Sequence, residues 1–76
     1  MNKDKFIDEV LMFDGELEIY IETDKDNYLI FENGDEGIYS CSWLGNIIYN
    51  DLESLANDLY DKIETFQEKI ISVDNE

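Results

Sequence analysis

The sequence predicts an α+β domain: a short N-terminal helix, a three- to four-stranded antiparallel meander, and a long C-terminal helix packed on one sheet face. Three observations carry this reading. Apolar residues recur at helical spacing near both ends of the chain. Strict alternation marks Glu16 to Thr23. The dipeptides Asn33-Gly34 and Gly45-Asn46 punctuate an apolar middle as turns.

Taken in order, Phe6, Ile7, Val10, Leu11 and Phe13 fall at helical spacing between Lys3 and Phe13, and Asp14-Gly15 supplies a stop. In the segment that follows, Leu17, Ile19 and Ile21 point one way, and Glu16, Glu18, Tyr20 and Glu22 the other. In a simple meander this first strand lies at the sheet edge. Asp24-Lys25-Asp26-Asn27 reads as a turn, and Tyr28 to Glu32 as a second strand, apolar on both faces as the middle of a meander requires. Gly37 to Leu44 makes a third strand, and Ile47-Ile48-Tyr49 a short fourth. Asn50 reads as an N-cap, with Glu53 three residues on closing a capping box. Leu52, Leu55, Ala56, Leu59, Ile63, Phe66 and Ile70 keep to one side of a helix running to Ile71, and this stripe is expected to lie on the face of Leu17, Ile19 and Ile21. Residues 72–76 read as a frayed tail.

Seventy-six residues make a single domain, 1–76. Such a chain buries roughly 60% of the surface its unfolded form exposes, so its core is modest. Cys41 is the only cysteine and sits among apolar neighbours, the setting of a small buried hydrophobe. Histidine is absent, which removes Ser-His-Asp and Cys-His constellations, the ordinary general base near neutral pH, and the usual zinc ligand set. All five basic residues are lysines, so the bidentate arginine clamp for phosphate is missing as well. The expectation is a protein that is not an enzyme and takes no cofactor or metal. Asp24-Lys25-Asp26-Asn27 looks like the start of a calcium loop, but Leu29 and Asp35 stand where that loop needs Gly and Glu. The N-terminus lacks an apolar signal region, and nothing later approaches the ~20 apolar residues of a membrane span, so a cytoplasmic setting is expected.

Twenty Asp and Glu against five Lys leave a net charge of −15. Such a surface repels nucleic acid and anionic membranes and attracts basic proteins. The acids are unevenly placed: twelve lie between Asp4 and Glu36, none in the fourteen residues from Gly37 to Asn50, and eight beyond. On the first strand Glu16, Glu18 and Glu22 share a face at about 6.8 Å per i,i+2 step, and Asp24 and Asp26 extend the line into the turn. On the last helix Glu53, Asp61, Glu64 and Glu68 fall within an arc of about 80°. Solvation alone produces a charged strand face. The excess points further, because a net charge of about 2–8 suffices to keep a small domain soluble. Among the aromatics, Tyr20 and Trp43 are the candidate interface anchors.

A short chain of this element order, lacking histidine and rich in Asp and Glu, resembles the small acidic anti-CRISPR proteins of phages and prophages. The resemblance covers the whole chain through size, charge and element order. It implies that Glu16, Glu18, Glu22, Asp24 and Asp26 stand in for phosphates, with Asp35 and Glu36 joining them, in the cytoplasm of a bacterial host cell. The resulting expectation is an acidic inhibitor that binds the nucleic-acid-binding surface of a CRISPR effector or other defence nuclease as a DNA mimic. Its partner-binding residues would be Glu16, Glu18, Tyr20, Glu22, Asp24, Asp26, Asp35 and Glu36, with Trp43, Glu53, Asp61, Glu64 and Glu68 as a second set. Two alternatives stand beside it: an immunity protein or antitoxin neutralising a basic toxin, and a structural or regulatory subunit associating through uncharged residues 37–50.

Overall fold

The structure, a computed structural model, describes residues 1–32, 38–45 and 47–75. The expected turn at Asn33-Gly34, the candidate residues Asp35 and Glu36, and Asn46 of the second turn dipeptide lie outside the described residues. The order is α1 (Lys3–Leu11), β1 (Glu18–Thr23), β2 (Asn27–Glu32), β3 (Tyr39–Cys41), a 3-10 turn (Ser42–Leu44), α2 (Leu52–Thr65) and β4 (Ile70–Asn75). The α+β class holds: two helices and one four-stranded antiparallel sheet.

The helix α1 starts where Asn2 accepts the Lys5 amide at 2.8 Å through its side chain, satisfying one orphan N–H of the first turn. It buries Phe6 and Val10, one turn apart. Gly15 turns the chain into β1 at φ 95°, a conformation that favours glycine. The buried Tyr39 hydroxyl fixes this turn, accepting the Gly15 amide at 2.7 Å and donating to Asp14 Oδ1 at 3.0 Å.

The sheet order is β3-β2-β1-β4, so β1 is an interior strand and not the expected edge. The reason lies in the chain terminus. Residues 70–75, read partly as helix and partly as frayed tail, form β4 and pair antiparallel with the far side of β1. The alternation Ile71-Ser72-Val73-Asp74 is a strand signal, masked in the sequence by the apolar stripe of the preceding helix. The expected fourth strand at Ile47-Ile48-Tyr49 reduces to a single bridge between Tyr39 and Tyr49. Of the expected third strand, only Tyr39–Cys41 pairs with β2.

The helix α2 begins one residue later than expected. Its cap is Asp51, whose carboxylate accepts the Glu53 amide at 3.1 Å and the Ser54 hydroxyl at 3.0 Å. It ends at Thr65 rather than Ile71. Gln67 adopts φ 57°, its amide donates to the Glu64 carbonyl at 3.0 Å, and the Glu68 amide reaches back to Ile63 at 3.0 Å. This bond pair is a Schellman motif with glutamine in the position glycine usually holds. A sequence search for a terminal Gly or Pro finds none there.

Both helices pack on one sheet face. Phe6 and Val10 from α1 join Leu52, Leu55, Ala56, Leu59 and Ile63 from α2 over Ile19, Ile21, Ile30, Cys41 and Val73. The α2 stripe therefore meets the predicted face, with two corrections. Leu17 precedes β1 and is exposed, the buried row being Ile19, Ile21 and Thr23, while Phe66 lies past the helix and is 55% exposed. A stack of Tyr28 on Trp43, with ring centroids 3.9 Å apart and 7° between planes, closes one end of this core.

Candidate protein-interaction face

Alternation along β1 sets the site. With Ile19, Ile21 and Thr23 turned to the helices, Glu18, Tyr20 and Glu22 emerge on the opposite sheet face. The register extends that face sideways. Tyr20 lies between Leu29 of β2 and Asp74 of β4, Glu18 beside Phe31, and Glu22 between Asn27 and Ser72. Among the described residues no helix covers this face, since both helices belong to the core on the other side. It therefore presents Glu18, Glu22 and Asp74 around the Tyr20 ring, each carboxylate about 5–8 Å from its neighbours' strand positions.

Hydrogen bonds within the face orient these groups without neutralising them. Glu18 accepts the Tyr20 hydroxyl at 2.6 Å, and Glu22 accepts from Ser72 at 3.3 Å. Neither bond brings a positive charge. The single ion pair among the described residues is Lys3–Asp61 at 2.8 Å, well away from this face. Lys62 donates to the Trp43 carbonyl at 2.6 Å with its ammonium 5.5 Å from the Trp43 ring centroid, and Lys25 donates to the Phe66 carbonyl at 3.4 Å. Two further lysines are thus engaged by carbonyls and a ring.

The remaining candidates divide by what they touch. Glu16 is exposed ahead of β1. Asp24 and Asp26 sit in the β1–β2 turn, each with backbone work. Asp24 Oδ1 accepts the Lys69 amide at 2.8 Å, and Asp26 Oδ1 accepts the Asn27 amide at 2.8 Å. Trp43 is half-buried under Tyr28, with Phe66 5.6 Å away, so it is chiefly a packing residue. The second array does not form as read. Glu53 and Glu64 are exposed on α2, Asp61 is paired with Lys3, and Glu68 has left the helix altogether. Glu68 is instead half-buried against the sheet, accepting from Thr23 at 2.5 Å and from Tyr28 at 2.9 and 2.8 Å. Asp74 is the member of the face that sequence reading missed, because it was placed in a tail.

Among the described residues no group of three or more His, Cys, Asp or Glu is placed to hold a metal ion, and no helix is long and apolar enough to cross a membrane. The Cys41 thiol is buried, and that burial pushes its pKa up, away from the reactive thiolate. The arrangement offers a fixed set of anions around an aromatic ring, suited to a cationic surface. Comparison with family models, curated proteins and solved structures finds no match to this chain.

Proposed function

We propose that the protein is an acidic inhibitor that occupies the nucleic-acid-binding surface of a CRISPR effector or other defence nuclease, its helix-free sheet face standing in for a phosphate backbone. The observation that carries this reading is the set of carboxylates Glu18, Glu22 and Asp74 around Tyr20, held on paired strands, none of the three carboxylates ion-paired to a lysine among the described residues. A sheet fixes such side chains at repeating intervals, which suits a groove built for regularly spaced anions. Duplex DNA carries roughly one charge per 1.7 Å of axis, so the imitation is sparse and relies on the protein's total charge to steer encounter.

The test is DNA cleavage by a panel of CRISPR effectors, with the inhibitor titrated at low and at high salt. Inhibition should weaken as salt rises and should compete with the nucleic acid. Reversing Glu18, Glu22 and Asp74 to Lys should abolish it. Asp74 is preferred to Asp24 for this purpose because Asp24 also caps the Lys69 amide. Full inhibition by the triple variant would end the reading.

A second reading, association through residues 37–50, is favoured by Ile47 and Ile48, which stand 59% and 58% exposed in the uncharged segment. Sedimentation equilibrium over a wide concentration range separates the two, because mimicry requires no self-association.

A further inference from the structure

We propose that the outer edge of β4 captures an extended segment of a basic partner in which apolar and cationic residues alternate. This surface adjoins the acidic face but is distinct from it, and its use does not require the partner to bind nucleic acid. The sheet order leaves β4 paired on one side only among the described residues. The hydrogen-bond parity of β1 shows which peptide groups remain. Thr23 bonds to Asp26, and Glu32 to Leu17, so odd positions of β1 bond to β2 and even positions turn to β4. Ser72 and Asp74, opposite Glu22 and Tyr20, therefore face β1. The backbone groups of Val73, between them, point outward, while Ile71 is the extra residue at the register shift and has no partner position on β1.

Edge strands are usually blunted by lysine, proline or a cover. Here Ile70–Asn75 contains neither lysine nor proline; a register shift opposite Glu22 and Thr23 makes Ile71 an extra residue, so the regular edge runs from Ser72 onward. Beside the edge, on the helix side, runs a groove of about 380 Å³ lined by Met1, Met12, Phe13 and Ile71, with Lys5 and Glu9 on the α1 wall. Met1, Met12 and Ile71 are 41%, 78% and 57% exposed, so the groove's apolar lining is open to solvent. A strand added to β4 would alternate its side chains between two unlike environments. One set enters the methionine-lined groove. The other emerges beside Asp74, with Glu22 and Glu18 one strand further in.

That alternation defines the occupant as apolar on one side and basic on the other. A second copy of this chain is disfavoured, because each copy brings a net charge of −15 to the contact.

The probe is a short fluorescent peptide alternating lysine with valine, applied to the full chain and followed by anisotropy and by amide hydrogen exchange. Binding should slow exchange at Val73. The same peptide with every amide N-methylated keeps its charge but has no N–H to donate on either edge, and should bind about tenfold more weakly. Ile71→Glu with Met12→Glu adds negative charge while spoiling the groove. Edge capture predicts binding about tenfold weaker for this variant, with an unchanged circular dichroism spectrum, whereas simple charge attraction predicts stronger binding. Equal affinity for the methylated peptide, unchanged exchange at Val73, or tighter binding by the double variant would each overturn the proposal. So would sedimentation as a dimer that Ile71→Glu returns to monomer, which would make a second copy the occupant.

Discussion

The phenol of Tyr28 donates to the Glu68 carboxylate, at 2.9 Å from Oε1 and 2.8 Å from Oε2, joining the first residues of β2 to the loop that leads into β4. Thr23 adds a third bond to the same carboxylate, so one acidic side chain ties the ends of β1 and β2 to the entry of β4. This is what holds the helix exit on the sheet. Glu68→Ala would leave the Tyr28 hydroxyl without its acceptor, Thr23 still having the Asp26 carbonyl at 3.0 Å, and should cost about 1–3 kcal/mol in urea unfolding, while Glu68→Gln, which keeps an acceptor, should cost less. A loss below about 0.5 kcal/mol for the alanine variant would place Glu68 with ordinary surface residues.

Gln67 at φ 57° is the strained member of the same exit. A side chain in the left-handed region is disfavoured by about 1–2 kcal/mol, and glycine avoids this at some entropic cost. Gln67→Gly should therefore stabilise the protein by about 0.5–1 kcal/mol, raising the melting temperature by about 3–6 °C. A lowered melting temperature would mean that the Gln67 side chain makes a compensating contact.

Truncation after Lys69 separates a tail from a strand. A tail could be removed at little cost. Loss of β4 removes the outer partner of β1 and the buried Val73, and should abolish cooperative unfolding. Retention of a native melting transition by the 1–69 fragment would contradict the pairing.

Alkaline titration should weaken the fold. Burial, and then the Asp58 carboxylate that accepts its hydroxyl at 2.8 Å, push the Tyr49 phenol from 10.0 up to about 12. Burial and the Glu68 carboxylate raise Tyr28 as well, and burial raises Tyr39. The folded state thus holds phenolic protons that the unfolded chain releases near pH 10. The associated stability is complete below that pH and declines as pH rises, Tyr49's share disappearing by about 12. Melting temperatures should be flat up to about pH 8 and fall from about pH 9, where the unfolded Cys41 thiol and then the tyrosines ionise, and Asp58→Asn should shift Tyr49 ionisation downward without restoring its ordinary value, because burial remains. A melting temperature constant to pH 12 would exclude this linkage.

Added salt should stabilise the molecule. With −15 net charge and one ion pair among the described residues, screening relieves more repulsion than attraction. The melting temperature should climb between about 0.01 and 0.5 M sodium chloride. Indifference to salt would mean that the carboxylates are too dispersed to repel one another.

Much of the fold was legible because local periodicity reports which side of an element is buried. Ile19 and Ile21 against Glu18, Tyr20 and Glu22 gave the two faces of β1, and Leu52 to Ile63 gave the buried stripe of α2. The candidate site was legible in part. Glu18, Tyr20 and Glu22 share a face as read, while Asp24, Asp26 and Glu68 proved to be engaged in holding turns and loops. Side-chain capping cannot be seen in charge patterning, since an aspartate that caps an amide and one that faces solvent are the same letter.

Composition and short-range spacing were enough for the class of fold, for most buried residues of α1, β1 and α2, and for the large negative charge, since these depend on a few turns or a single strand. Only the tertiary structure decided that β1 is interior, that residues 70–75 form its outer neighbour, and that Asp74 comes to lie beside Tyr20. The physical reason is that the β1–β4 pairing joins residues 47 to 56 positions apart. Its energy comes from backbone hydrogen bonds and from Val73 entering a core assembled by other segments, and the short alternation after residue 70 does not say which strand it pairs with.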